Sequence, residues 1–226
     1  MNTIYITGAS GFIGTALIRR LEDRKELRII GLSRSQRKTP APNVKWHKGD
    51  PLDLAFLSKE LVGVDTLVHL VGISSPSPFA DGGFIDVDLK SAQVAAEAAR
   101  SAGVKHIIFV SVAQERSYIM DAYQSARALA ENYFKETNIP LSIIRPWYVL
   151  GPGRWWPSLL LPIYGLLELI PFTRKKATAF TPVLLEPFID TIHFAIDNPA
   201  ESKVVYYEVE DIQQIDFYRV TISPLL

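Results

Sequence analysis

Three glycines, Gly8, Gly11 and Gly14, stand three residues apart behind an N-terminal run, Thr3-Ile4-Tyr5-Ile6-Thr7, rich in β-branched and aromatic side chains. The run reads as a short buried strand. Behind the glycines, Thr15-Ala16-Leu17-Ile18-Arg19-Arg20-Leu21 carries apolar residues at helical spacing. A strand, a tight turn and a helix start together make an anion site. Gly8 lets the chain turn sharply, Gly11 lets backbone approach a phosphate, and Gly14 lets the helix pack close on the sheet. The unpaired N–H groups of the first helical turn, with the helix dipole, then hold the negative charge. The chemistry on offer is retention of a dinucleotide diphosphate by Gly8, Ala9, Ser10, Gly11, Phe12, Ile13 and Gly14. The spacing is not the commoner G-x-G-x-x-G, and ordinary turns also use glycine. Position directly after the first strand is what separates this cradle from a plain turn.

A second set of reactive types lies further along. Ser111 ends the apolar run Lys105-His106-Ile107-Ile108-Phe109-Val110, and Tyr123 and Arg127 are four apart, on one face of a helix expected from about Asp121 to Lys135. The alternative for that pair is a surface Tyr–Arg contact. After the second strand, Leu27 to Leu32, come Ser33-Arg34-Ser35-Gln36-Arg37-Lys38. An acid at this place would hold a ribose 2′-hydroxyl, and the sequence has none. Ser33, Arg34 and Arg37 suit a 2′-phosphate instead, since guanidinium grips phosphate bidentately and hydroxyls add hydrogen bonds. NADP(H) is therefore the expected cofactor, with NAD(H) as the other option; a solvated basic loop is the competing reading. Asp50, beside Pro51, sits where a carboxylate could accept from an adenine amino group.

These residues need a scaffold that gathers strand ends. Val44 to Lys48 alternates as a third strand, Asp53 is placed to cap a helix from Leu54 to Leu61, and Asp65 to Gly72 reads as a fourth, apolar strand. Leu70, Val71 and Gly72 at its carboxyl end would border a ligand. A helix from about Phe84 to Ala102 is stopped by Gly103. Leu141 to Arg145, closed by Pro146, is a sixth strand. Repeated strand–helix alternation with strands apolar throughout predicts an α/β fold, a Rossmann-type doubly wound parallel sheet covered on both faces. His69, inside an apolar run, reads as a satisfied buried histidine, and His47 as an exposed strand residue. The loop Ile73 to Gly83, with two Ser-Pro pairs, reads as a surface loop near the site.

The chain of 226 residues is 48% apolar, enough for one domain with a sizeable core. Twenty-four basic and 24 acidic residues cancel, which argues against nucleic acid as a partner. No cysteine is present, so disulfides and thiolate chemistry are excluded, and a reducing cytoplasm is compatible. No metal site is expected, and the N-terminus lacks the pattern of a signal peptide.

Several segments in unbroken order carry a resemblance: Thr7 to Gly14, Gly49-Asp50, His69 to Gly72, Val87-Asp88-Leu89, Phe109-Val110-Ser111, Tyr123 to Arg127 with Glu131, and Arg145-Pro146-Trp147 through Gly153. Residues 1 to about 153 thus resemble the short-chain dehydrogenase/reductase superfamily, in its extended or atypical branch of epimerase-like and NmrA-like NAD(P)-binding proteins. The resemblance implies that Ser111 polarises a substrate carbonyl and Tyr123 is the general acid/base. It also adds Pro146 and Trp147 to the cofactor site. The family's lysine, four residues after the tyrosine, holds the nicotinamide ribose and is Arg127 here; the family often has asparagine where this chain has Asp88. Arginine supplies a lysine's charge but is bulkier, planar and never deprotonated, so it cannot relay a proton. Two functions remain open from this reading: an oxidoreductase or isomerase acting on a small carbonyl or alcohol compound, and a sensor or scaffold that binds cofactor without turnover.

Beyond Pro152 the chain changes character. Trp155 to Phe172 is apolar and tryptophan-bearing, but Pro157, Pro162, Gly165, Glu168 and Pro171 interrupt it, and no transmembrane span is expected. Residues 152–182 are expected to form a substrate-side lid or insertion on a single domain of 1–226, suited to a small hydrophobic ligand. A buried core helix is a second reading. Peripheral membrane or partner contact through 155–176 is a third. A helix from Leu184 to Asp197 and a last strand, Val204 to Val209, close the pattern. The expected protein is cytoplasmic, a monomer or homodimer.

Overall fold

A computed structural model describes residues 1–72, 85–115, 120–153, 178–201 and 204–222. Seven strands form one sheet in the order β3-β2-β1-β4-β5-β6-β9. These are β1 (Asn2–Thr7), β2 (Leu27–Ser33), β3 (Val44–Lys48), β4 (Thr66–His69), β5 (His106–Val110), β6 (Leu141–Ile144) and β9 (Val204–Tyr207). Every pairing is parallel, with Ile4 against Ile29 on one side of β1 and against Thr66 on the other. The expected doubly wound sheet is therefore present, and its order reverses between β1 and β4. That reversal opens a crevice at the carboxyl ends of the strands.

Parallel strands need crossovers, and the helices supply them on both faces. Helices α1 (Phe12–Leu21) and α5 (Leu185–Asp197) bury Leu17, Ile18, Leu21, Phe188, Ile192 and Ile196 against one face. Helices α2 (Leu54–Glu60), α3 (Lys90–Ala102) and α4 (Asp121–Glu136) cover the other with Leu57, Ala130, Phe134 and the alanines of α3. Asp53 caps α2 as expected, its Oδ1 accepting from the Phe56 N–H at 3.0 Å. Gly103 ends α3 in the left-handed region, at φ +71°.

Some boundaries differ from the sequence reading. Strand β4 stops at His69; the Leu70 N–H still donates to the Thr7 carbonyl at 3.1 Å, and Leu70 and Gly72 then line the crevice. The helix expected from Phe84 begins among the described residues as a π-helical turn, Ile85–Leu89, that runs into α3. After β9 the chain forms a helix, α6 (Val209–Ile222), that the sequence reading did not include. A two-stranded parallel pair, β7 (Val149–Leu150) with β8 (Val183–Leu184), lies beside α5. The loop Ile73 to Gly83 and the apolar stretch 155–176 lie outside the described residues. Among the described residues no helix is long and apolar enough to cross a membrane.

Two histidines sit in the core as neutral groups. His69 shares a hydrogen bond with Thr7 Oγ1 at 2.9 Å and packs on Phe109 and Phe134. Burial, aided by the Arg127 charge, pushes its pKa down to about 3. His106, bonded to Ser142 Oγ at 3.0 Å, is pushed down to about 4 by burial. His47 is not the exposed residue expected: it is half-buried, edge-on to Tyr5 and paired with Glu60. The buried pair makes stability pH-dependent. Below pH 6.5 the unfolded chain binds protons that folded His69 and His106 refuse, so stability is full above 6.5 and drains as pH falls toward 4 and 3. By pH 4.5 each should have cost roughly 2 to 3 kcal/mol. Urea unfolding at pH 7 and 4.5 checks this, and His106→Gln should flatten the difference by about 2 kcal/mol.

Candidate functional site

The glycine turn is built as a close contact between strand, turn and helix. Gly8 adopts φ +71°, and a Cβ there would lie 2.8 Å from the Leu70 carbonyl carbon. Gly14 is tighter: a Cβ would stand 2.5 Å from the Ala9 Cα and 2.6 Å from the carbonyl oxygens of Ala9 and Gly8. The Gly11 N–H donates to the Gly8 carbonyl at 3.0 Å, closing the turn. Gly11 then begins α1 with extended backbone and no side-chain cap. A Cβ on Gly11 would have one close neighbour, the Gly8 carbonyl oxygen at 3.2 Å. The cradle thus fits a diphosphate: α1 opens on the cleft at Gly11 with no side chain capping its first-turn N–H groups.

One cleft collects most of the sequence-predicted residues. Gly11, Phe12, Ile13 and Gly14 form one wall; Leu70 and Gly72 come from the end of β4; Ser111, Pro146 and Trp147 follow β5 and β6; Tyr123 and Arg127 come from α4. Val110, Val112, Tyr148 and Val149 complete the lining and were not among the site residues expected from the sequence. Gly8 and Ala9 stand behind the wall, Ala9 fully buried. Ser10 belongs to the same turn. Val71 meets the site through its carbonyl, 3.5 Å from Arg127 Nη1. Trp147 is edge-on to Phe180, ring centroids 4.7 Å apart, which gives the cleft an aromatic side.

Tyr123 and Arg127 do meet on one face of α4, as their spacing requires, but in the cleft. Arg127 Nε donates to Tyr123 Oη at 3.2 Å. Arg127 is buried, 5% exposed, with its guanidinium 5.6 Å from the Phe109 ring centroid. Burial works against its charge, yet Tyr123, Asp88 and Glu131 outweigh burial and raise its pKa. Asp88, fully buried, reaches it from the π-helical turn, Oδ2 lying 3.5 Å from Nε.

Ser111 has a partner of its own. Its hydroxyl donates to Glu131 Oε1 at 2.7 Å. That carboxylate also accepts from Arg145 Nε at 2.9 Å and Nη2 at 2.6 Å, a bidentate pair, while Arg145 Nη1 reaches Glu208. Burial opposes the Arg145 charge, but these two carboxylates prevail and raise its pKa. To donate to a carbonyl in the cleft, the Ser111 hydroxyl would have to turn away from Glu131.

The remaining predicted residues lie at the ends of β2 and β3. Ser33 is buried, its Oγ accepting from the Ser35 N–H at 3.3 Å. Arg34 and Arg37 are exposed, and among the described residues no carboxylate lies within ion-pairing distance of either. Asp50 is exposed and accepts from the Leu52 N–H at 2.9 Å, with Pro51 half-buried in the same turn.

Known proteins resemble the chain in fold and sequence. The ceramide reductase of Caulobacter vibrioides (strain NA1000 / CB15N) is 30% identical over 155 residues, 66% of this chain and 47% of that one. The chain spans about half the length of the curated relatives it matches. Among solved structures, MoeE5 in complex with UDP-glucuronic acid and NAD superimposes with a TM-score of 0.69 at 16% identity, covering 92% of this chain and 76% of that one. A UDP-glucuronic acid 4-epimerase from Bacillus cereus in complex with NAD gives 0.66 at 21% identity, covering 98% and 83%. Both likenesses are of fold. Residues 4–162, the whole span from first strand to cleft, match the family described as the NAD dependent epimerase/dehydratase family, and the chain belongs to it.

Proposed function

We propose that the chain is an NADP(H)-binding oxidoreductase or isomerase of short-chain type, acting on a small hydrophobic carbonyl or alcohol compound. The observation that carries this is the contact of Tyr123 Oη with Arg127 Nε in the cleft bordered by the glycine cradle. When bound, the nicotinamide ring supplies or accepts hydride. The chain's own residues do the rest. Gly11 to Gly14 hold the diphosphate, Tyr123 Oη gives or takes the proton at the substrate oxygen, and Arg127 keeps a fixed positive charge beside it. Ser111 orients the substrate oxygen once its hydroxyl turns into the cleft. Phe12 and Trp147 in the cleft lining, with Phe180 packed edge-on to Trp147, favour an apolar substrate body, in keeping with a relative named ceramide reductase. Residues 152–182 serve as the substrate-side lid, and the cysteine-free chain works in the cytoplasm.

The NADP(H) preference rests on Arg34 and Arg37, which follow the end of β2 and, among the described residues, have no carboxylate within ion-pairing distance. Fluorescence titration should give NADPH at least about 10-fold tighter binding than NADH, a charge-assisted phosphate contact costing about 1.5 to 3 kcal/mol when lost. Arg34→Ala should abolish the difference while leaving NADH binding unchanged. Equal binding of the two by the native protein removes the preference.

A second reading, a cofactor-binding sensor without turnover, is favoured by the commitment of the Ser111 proton to Glu131. NADPH consumption across a panel of apolar carbonyl compounds separates the two readings.

A further inference from the structure

The segment that leaves β5, Ser111 to Glu115, forms a thin wall of the cleft. Val110, Ser111 and Val112 line the cleft itself, while Ala113, Gln114 and Glu115 line a separate cavity with Thr178, Glu208 and Val209. One edge of the wall is tied to the chain of β6 and the residues after it. The Ser111 N–H donates to the Ile144 carbonyl at 2.8 Å, and the Ala113 N–H to the Pro146 carbonyl at 3.0 Å. The other edge is held by side chains of α4. Glu131 accepts the Ser111 hydroxyl at 2.7 Å. Gln124, 6% exposed, donates from Nε2 to two backbone carbonyls, that of Ala113 at 2.6 Å and that of Glu115 at 2.7 Å. Gln124 follows Tyr123 directly, so its amide joins the helical turn of the candidate acid/base to the backbone that carries Ser111.

We propose that Gln124 is a positioning residue: its amide keeps the wall, and Ser111 with it, in register with Tyr123 when the Ser111 hydroxyl leaves Glu131 for the substrate. The proposal rests on the functional reading above and deepens it. The tie through Glu131 ends as soon as the hydroxyl turns into the cleft. A wall held to α4 by that bond alone would be released at the moment its place matters. The Gln124 bonds go to main-chain carbonyls, so the Ser111 rotamer does not affect them. They also satisfy two acceptors, one of them on Ala113, which is buried. An orienting hydroxyl works only within hydrogen-bond reach of the substrate oxygen, and a shift of about 1 Å in the wall takes it out of that reach. Glutamine suits the task because one nitrogen carries two donors at the end of a long arm. Methionine and ionised glutamate, of similar length, carry none.

The test uses Gln124→Met, which keeps the length and loses the donors, Ser111→Ala, which ends the Glu131 tie, and the two combined. Hydrogen exchange at the Ala113 N–H reports on the wall. NADPH oxidation with hexanal, octanal and decanal reports on the reaction. Gln124→Met should speed Ala113 exchange at least about 10-fold, while Ile108, inside β5, stays within about 2-fold. Ser111→Ala alone should leave Ala113 exchange within about 2-fold. In the native background Gln124→Met should lower kcat about 10-fold, with KM and NADPH affinity within about 2-fold. In the Ser111→Ala background the same exchange should cost less than about 2-fold. A residue that merely supports the fold would cost the same factor in both. Gln124→Glu at pH 8 has the native shape without the donors and should repeat the pattern. Unchanged Ala113 exchange in both Gln124 variants overturns the proposal, as do kcat losses that simply multiply. The exchange arm needs neither turnover nor cofactor. A native protein inert toward every aldehyde, yet with fast Ala113 exchange in Gln124→Met, defeats the enzymatic reading and keeps Gln124 as the holder of the wall.

Discussion

Gly14→Ala should abolish measurable nicotinamide nucleotide binding, weakening it by about 100-fold or more, and should lower stability by about 1 to 3 kcal/mol. The added methyl would lie 2.5 Å from the Ala9 Cα and 2.6 Å from two carbonyl oxygens, all of them backbone. No rotamer change can relieve such a contact. The helix must move off the turn, and the N–H groups of its first turn move with it. Gly11→Ala makes the informative comparison. Its backbone lies at φ −78°, ordinary for any residue, and its Cβ would meet one atom, the Gly8 carbonyl oxygen at 3.2 Å. Stability should stay within about 0.5 kcal/mol of the native value, as for substitutions away from packed features. Binding should nevertheless fall at least about 10-fold, because the methyl projects where a diphosphate would lie against the cradle. Calorimetric titration with NADPH and urea unfolding of both variants measure the two quantities separately. Gly11→Ala binding as tightly as the native protein would place the diphosphate elsewhere, whatever Gly14→Ala does.

The division between what could be read from the chain and what could not follows from the range of the interactions. Gly8, Gly14 and Gly103 were legible because a local backbone requirement fixes the residue type: a positive φ at two of them and a 2.5 Å approach at the third. The sheet was legible because strands buried on both faces carry continuous apolar runs, as β1, β4 and β5 do. Tyr123 and Arg127 share a helical face by spacing alone, but that the face turns inward depends on Phe109 and Asp88, which lie in other elements. The Ser111–Glu131–Arg145 cluster is of the same kind. Its members stand 20 and 14 residues apart, and only the register of β5, α4 and β6 brings them together. The early end of β4 escaped notice because Leu70 and Val71 are as apolar as the strand before them; what ends the ladder is the turn of backbone past Gly8, a tertiary event.

Tyr123→Phe should lower kcat by about 100-fold to 10,000-fold, the usual contribution of a positioned acid/base, and leave NADPH affinity within about 2-fold. The substitution removes one oxygen from a ring that is half-buried on α4, so the fold has little to lose. What disappears is the hydroxyl in contact with Arg127 Nε at 3.2 Å. Ser111→Ala should behave differently. Its hydroxyl donates to Glu131, which keeps the Arg145 bonds when that hydroxyl is gone, so the cluster survives the loss of one donor. If Ser111 turns toward the substrate only during reaction, its removal should cost about 10-fold to 100-fold in kcat, less than the loss of Tyr123. The order of the two losses matters more than either value. Tyr123 larger than Ser111 is the expectation for a proton donor helped by an orienting hydroxyl. A Tyr123→Phe protein as active as the native chain, with Ser111→Ala inert, would move the proton transfer to the Ser111–Glu131 pair, where a carboxylate is already in contact with the hydroxyl.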